Sequence, residues 1–354
     1  MPFPYTFPFT FDTVTTDYLV DVDWDNNGNF TGTYDAINTE VKSIHFSRGK
    51  SDELGNAEVG NLTISLNNAT GKYTPSNGAS VLTGLLLPKR PIRVRANYNL
   101  TTYNLFYGFI EEIVPHPHAR EQDCIITAVD GIDFLSRHDS ATALYKSVAT
   151  GTLHGYILDD AGWSASMRTL DTGQDIVPYW YTQDVKSRFA QEELDDSEQG
   201  FSYINGAGNF VFEDRHHRST ATHQTSQATF TNTMSNITYS LNAKVVYNVI
   251  KATFTPWSLQ AITELWRLQE TPSIPAGETL TWWGNAEVSN ESVFVDAWTT
   301  PVTTTDYTAN SQADGLGTNM TASITVTTTK FAKTIKLALA NGGTVPAFIT
   351  LLKA

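Results

Sequence analysis

Short runs of alternating apolar and polar residues, each closed by a turn cluster, constrain this chain more than any other feature. Leu62, Ile64 and Leu66 alternate with Thr63 and Ser65, and Ile92, Val94 and Ala96 alternate with Arg93 and Arg95. A period of two puts one set of side chains on each face of an extended strand, so each run reads as a half-buried β-strand. Gly71, Pro75-Ser76-Asn77-Gly78 and Pro115-His116-Pro117-His118 break the runs, and the prolines of the last cluster read as an exposed loop. Residues 17–138 are therefore expected to form a first small β-barrel or sandwich domain.

The pattern changes on either side of this region. Over residues 1–16, Phe3, Tyr5, Phe7, Phe9 and Phe11 fall on odd positions and Pro2, Pro4 and Pro8 on even ones. An extended segment of this kind carries one aromatic face, and its prolines exclude it from the middle of a sheet, which makes it an edge strand or an arm. It packs either on its own domain or on a neighbouring subunit. In residues 139–235, Thr152 is placed to cap a helix ending at Gly162, and Asp184 to cap a second ending at Gly200. Phe201 to Ile204 and Phe210 to Phe212 then flank Asn205-Gly206-Ala207-Gly208-Asn209 as strand, turn and strand, giving an α+β domain. Residues 236–354 return to strand alternation, as in Val245, Tyr247 and Val249 or Ile335, Leu337 and Leu339, and form a second β domain. Leu259 to Gln269 fits helix and strand equally. The expected fold is thus a β-rich α+β chain, with two small β-barrel or sandwich domains flanking an α+β domain.

The chain has 354 residues, 40% of them hydrophobic and 17% charged, enough for several packed cores. Its formal charge of −14 argues against a general phosphate-binding surface, because such surfaces need clustered Lys and Arg. No run of apolar residues is long enough for a membrane helix, and the start, which lacks Lys and Arg before Lys42, does not read as a secretory signal. The single cysteine, Cys124, sits before Ile125-Ile126 and reads as a small core residue.

Few residues suggest chemistry. Asp23, Asp25 and Asn27 place oxygen side chains at alternate positions with Gly28 at the sixth, as in a loop that wraps calcium. Position twelve is Tyr34, not the bidentate Glu of a full loop, and the alternative is an Asx-rich turn that needs no ion. No cofactor is otherwise expected. His116 and His118 beside Glu111 and Glu112, and His216-His217 with His223, lack a third ligand at recognisable spacing. The acidic run Glu192, Glu193, Asp195, Asp196 and Glu198 offers a glycosidase-like carboxylate pair or a solvated helix face. Eight tryptophans, Trp282-Trp283 and Trp298 among them, would suit a sugar platform or a packed core. No nucleophile elbow, phosphate loop or zinc-protease pair occurs, so a non-enzymatic protein is expected.

The order of the motifs resembles one family. Val22-Asp23-Trp24-Asp25-Asn26-Asn27-Gly28-Asn29-Phe30 is followed by Phe46-Ser47-Arg48-Gly49, Leu66-Asn67-Asn68-Ala69-Thr70-Gly71-Lys72-Tyr73-Thr74-Pro75, Leu85-Leu86-Leu87-Pro88-Lys89-Arg90-Pro91 and Leu105-Phe106-Tyr107-Gly108-Phe109-Ile110. Further matches run through Ala161-Gly162-Trp163, Ser197-Glu198-Gln199-Gly200, Gly208-Asn209-Phe210-Val211-Phe212 and Ile274-Pro275-Ala276-Gly277 to Asp306-Tyr307-Thr308-Ala309-Asn310. This is similar to the baseplate hub and minor tail proteins at the tail tip of long-tailed bacteriophages. The resemblance implies a homotrimeric virion component, assembled in the host cytoplasm, whose ring joins the tail tube to the tip and gates genome passage. Its implied partners are copies of itself, tail tube or distal tail ring proteins, the tape measure protein, and other tip proteins or fibres. Specific nucleic-acid binding is not implied. With the chain stopping just after Phe348-Ile349-Thr350-Leu351-Leu352, a wall-degrading module is expected elsewhere. The competing readings are a distal tail ring protein, a carbohydrate-binding adhesin and a cell-wall hydrolase.

Overall fold

The alternating runs between Asp17 and Val129 pair into one antiparallel sheet. The computed structural model describes residues 16–50, 55–118, 122–226 and 258–354, with positions 229, 249, 251 and 253. Residues 1–15 of the expected arm, its aromatic positions among them, and the strand expected around Val245 lie outside the described residues. The chain divides into two compact units, Met1–His138 with Trp163–Gly173 and Gln191–Ser219, and Asp139–Gly162 with Gln174–Ala190 and Thr220–Ala354. Residues 139–226, read from the sequence as part of one α+β domain, contribute to both units.

The first unit is built on β1 (Asp17–Val22), β2 (Val41–Gly49), β3 (Glu58–Asn67), β4 (Pro91–Tyr98), β5 (Thr101–Pro117) and β6 (Gln122–Val129). They stand in the order β1-β4-β5-β6-β3-β2, a β-rich sheet that curls into a half-barrel. Its inner face buries Val20, Val22, Ile64, Leu66, Ile92, Val94, Phe106 and Ile126. The alternate residues of β3 and β4 face outward, as the period of two requires. β5 runs through the cluster read from sequence as a loop. Pro115 and Pro117 lie opposite Cys124 and Gln122 of β6, while β4 pairs only with the first half of β5. Beyond Phe109 the strand has β6 on one side, so prolines are tolerated on the other. A short helix, α1 (Gly131–Arg137), follows, capped by the Asp130 carboxylate, which accepts from the Ile132 amide at 3.0 Å. Gly131 has no room for a side chain, because the Trp163 indole packs against it.

The middle carries β7 (Asp139–Ala141), β8 (Tyr145–Ala149), α2 (Thr150–Asp160), β9 (Arg168–Leu170), β10 (Ile176–Trp180), β11 (Gln183–Lys186), α3 (Ser187–Glu198), β12 (Phe201–Ile204) and β13 (Phe210–Glu213). Both expected helices exist. α2 begins two residues before Thr152 and ends before Gly162, whose φ of +71° suits only glycine at low cost. Asp184 does not cap α3 but lies in β11. β12 and β13 form the expected antiparallel pair, and β9 joins β13 in parallel within the first unit.

In the second unit, β7 pairs with β11 and β8 with β10. Its C-terminal part holds β14 (Ser273–Ile274), β15 (Thr279–Asn285), β16 (Glu287–Val288), β17 (Glu291–Ser292), β18 (Tyr307–Asn310), β19 (Ile324–Lys330), β20 (Thr334–Asn341) and β21 (Ala347–Leu352). Two three-stranded sheets, β14-β21-β18 and β15-β20-β19, enclose Ile274, Trp298, Ile335, Leu337, Leu339 and Ile349. The segment ambiguous between helix and strand is neither over Leu259 to Trp266. It becomes extended at Leu265 to Leu268, where backbone bonds tie it to Leu352 and Ala354.

Candidate functional site: an interaction surface

One end of the first sheet is closed by its own loops. The Asp23 amide donates to the Pro91 carbonyl at 2.9 Å, so the loop after β1 is held against the start of β4. Trp24 is buried with its ring 6.2 Å from that of buried Tyr73, and its indole N–H donates to the Tyr34 carbonyl at 3.1 Å. Asn68 organises the next turn, its Oδ1 accepting from the Tyr73 amide at 2.8 Å and its Nδ2 donating to Thr74 Oγ1 at 3.0 Å. Lys72 reaches Glu40 at 3.0 Å. Burial pushes Glu40 up, but the Lys72 ammonium and the Thr39 hydroxyl outweigh it and hold the carboxyl below its ordinary value.

In the Asp23 loop the oxygen side chains bond to amides of the loop itself. Asp23 is fully buried, its Oδ1 accepting from the Asn27 amide at 3.1 Å and its Oδ2 from the Gly28 amide at 2.9 Å. Asp25 accepts from the Asn27 side-chain amide at 2.9 Å. Asp35, next to the position where a calcium loop has its Glu, accepts from the Gly32 amide at 2.7 Å. Burial raises its pKa, the Gly32 and Trp24 backbone amides oppose that rise, and Asp25 and Asp23 add to it. Among the described residues no group of three or more His, Cys, Asp or Glu side chains is arranged to hold a metal. The carboxylates spend their acceptors on loop amides, which is the Asx-turn arrangement.

The opposite end of the sheet is open. β1, β4 and β5 run past the core, and their inward-facing positions there are Tyr18, Tyr98 and Tyr103, exposed by 53%, 49% and 51%. The β4–β5 hairpin turns through Asn99 and Leu100 with φ of +47° and +63°, the left-handed pair of a tight turn that ordinarily takes glycine. Leu100 is 98% exposed. A branched side chain thus stands in a strained backbone position with no packing among the described residues to offset the strain. Together these residues form an uncharged aromatic and aliphatic tip of the kind that interfaces use.

A second open feature is the β2 edge. Among the described residues β2 pairs only with β3. Val41 and Ile44 are half-buried against the core, whereas Phe46, with its ring 6.4 Å from that of Phe106, is 40% exposed. Lys42 of β2 reaches the Asp123 carboxylate of β6, and just past the end of β2 Lys50 lies 4.6 Å over the Phe201 ring at the start of β12.

The remaining candidates are dispersed. The acidic run is not a uniformly solvated face: Glu193 and Asp196 are exposed, but Asp195 is buried and accepts from the Ser202 hydroxyl, and Glu198 is buried with Arg215 at 3.9 Å. Burial and Asp196 raise the pKa of Glu193. His116 stacks on His118, while His217 contacts Asp171 at 2.7 Å, a pairing across 46 residues that sequence spacing does not reveal. Trp282 packs on the C-terminal core, and Trp298 is buried with its indole donating to the Phe331 carbonyl at 2.9 Å. Trp283 is 57% exposed and stacks on Phe331, with Lys336 5.7 Å from its ring.

No family model matches the sequence, and no curated protein matches it. Among solved structures, the chain is similar to the 43 kDa tail protein of prophage MuSo2 from Shewanella oneidensis, at 10% identity and a TM-score of 0.37 over 56% of this chain and 53% of that one. It is similar to a tail protein from Neisseria meningitidis MC58 at 9% identity and a TM-score of 0.35, covering 55% and 50% of the two chains. It is also similar to the E. coli c3393 protein, a type VI secretion component with structural similarity to the T4 bacteriophage tail proteins gp27 and gp5. There the identity is 8% and the TM-score 0.31 over 96% of this chain and 73% of that one. The chain spans about half the length of the first two.

Proposed function

We propose that this protein is a structural, non-enzymatic component of a bacteriophage tail tip, a hub that rings the tip, connects it to the tail tube and gates genome passage. The observation that carries the reading is where the motifs of the sequence resemblance fall. Trp24, Asn68, Tyr73, Leu86 and Pro91 are framework residues that close one end of the sheet, and none is a reactive group facing a cleft. Their likeness to hub proteins is therefore one of scaffold. The opposite end, with Tyr18, Tyr98, Leu100 and Tyr103, offers a surface to a neighbour. Copies of this chain, the tube, the tape measure and other tip proteins are the proposed partners, and the acidic balance suits a wall along which DNA passes without sticking. Antibody labelling of tailed particles under the electron microscope tests the proposal. Label at the tip is expected, and label along the tube or off the particle would overturn it.

A further inference from the structure

Laid out as an extended strand, the sequence of the arm would have two unlike edges. In an extended strand the N–H and C=O of one residue point to the same lateral side and those of the next residue to the other. Pro2, Pro4 and Pro8 are all even, so every missing donor lies on one edge, while Phe3, Tyr5, Phe7, Phe9 and Phe11 keep their donors on the other. A strand of this composition can join a sheet through its odd edge and, through its even edge, stop further growth. It is suited to end a sheet.

The first unit holds an edge of matching length and chemistry. Val41 to Ser47 of β2 face no strand beyond β3 among the described residues, and seven residues are also what Phe3 to Phe9 provide. The aromatic face of the arm would continue the row of Val41, Ile44 and Phe46, covering the ring that now stands at the rim of the core. The β1 edge is not an alternative, because Asp35 to Asn38 already occupy it from Val20 onward, with Ile37 donating to the Val20 carbonyl at 3.0 Å.

Chain direction selects the donor. Five antiparallel steps separate β1 from β2, so the two run in opposite directions. The arm leads straight into β1. To lie antiparallel to its own β2 it would finish at the Val41 end. The register through Val22, Ile92 and Gly108, then Phe109, Val129 and Asn61, puts Asp17 about eleven residues, or ~36 Å, from that end along the strands, more than the ~25 Å that Thr10 to Thr16 can span. Every ladder in this sheet is antiparallel.

We infer that the arm, Phe3 to Phe11, of one copy adds antiparallel to the β2 edge of a second copy and terminates that sheet. This rests on the reading of the chain as a self-assembling ring component, and names the contact that builds the ring.

The test mixes two full-length proteins, one carrying Phe7→Cys and the other Phe46→Cys, under mild oxidation by copper phenanthroline, with neighbouring positions Thr6→Cys and His45→Cys to allow for register. A disulfide-linked pair containing one chain of each kind is expected. Deleting residues 2–11 is expected to weaken self-association at least tenfold with the melting temperature unchanged, since β1 begins beyond the deletion. A cross-link found only when both cysteines share one chain, independent of dilution, would overturn the second-copy assignment. Persistent association without any cross-link, or undiminished by the deletion, would overturn the arm while leaving the tail reading intact. A chain that stays monomeric at every concentration would overturn both.

Discussion

The two ends of the six-stranded sheet are built from the same strands and finished in opposite ways. At one end Trp24 and Tyr73 are sealed beneath loops whose polar groups bond to one another. At the other, three tyrosines on the inward face and Leu100 at the hairpin tip stand in solvent. An inward position without burial marks strands that outrun their own core. The closed end should therefore carry stability, and the open end association.

Trp24→Ala is the strongest test of the closed end. Removing a buried indole with its hydrogen bond should cost about 3–5 kcal/mol, read as a fall in the urea midpoint. A loss below ~1 kcal/mol would mean that the loops close nothing. Alkaline pH probes the same core. Burial pushes the Cys124 thiol up to about 12, while an unfolded thiol titrates near ~8.5. The folded protein holds the proton more tightly, so stability is flat below the unfolded value and falls as pH rises towards the folded one. Between pH 8 and pH 10 this group should remove about 2 kcal/mol. Cys124→Ala should lose that much less over the same interval, and equal losses in both proteins would show that the thiol is not sealed.

The turns of the closed end were legible in the sequence, whereas the way they meet across the sheet and the whole of the open end were not, for a physical reason. The Asp23 loop and the Asn68 turn are local, their donors and acceptors lying within a few residues, so composition and spacing reveal them. Tyr98 has the parity of the core residues Ile92 and Val94, while Tyr103 reaches the same face only through the register shift between Asn104 and Phe106, and the exposure of both depends on how far neighbouring strands extend. The same limit explains Pro115 and Pro117, which look like a loop until β4 is seen to stop short and leave them an unpaired edge. It explains Asp195 and Glu198 as well, whose burial depends on Ser202 and Arg215.

Leu100→Gly separates the two ends most directly. The left-handed backbone at this position strains leucine and suits glycine, although glycine is the more flexible in the unfolded chain. The two effects nearly cancel, so stability should change by under about 1 kcal/mol. The yield of tailed particles in a complementation assay should nevertheless fall at least tenfold. A loss of several kcal/mol with normal assembly would make the tip a packed part of the fold and collapse the contrast.

The smallest effect is expected at the one place where the closed end invites an ion. Asp23, Asp25 and Asn27 meet in a single loop, but both Asp23 oxygens already accept loop amides and Tyr34 stands where a calcium loop supplies its strongest ligand. A ligand that binds only the folded state raises the melting temperature with its concentration. Chelation followed by millimolar calcium should therefore shift the melting temperature by less than about one degree, because a loop closed by its own amides gains little from a cation. A rise of several degrees, abolished in Asp23→Asn, would instead make this loop a calcium-dependent clasp, and the closed end a feature that loss of the ion would open.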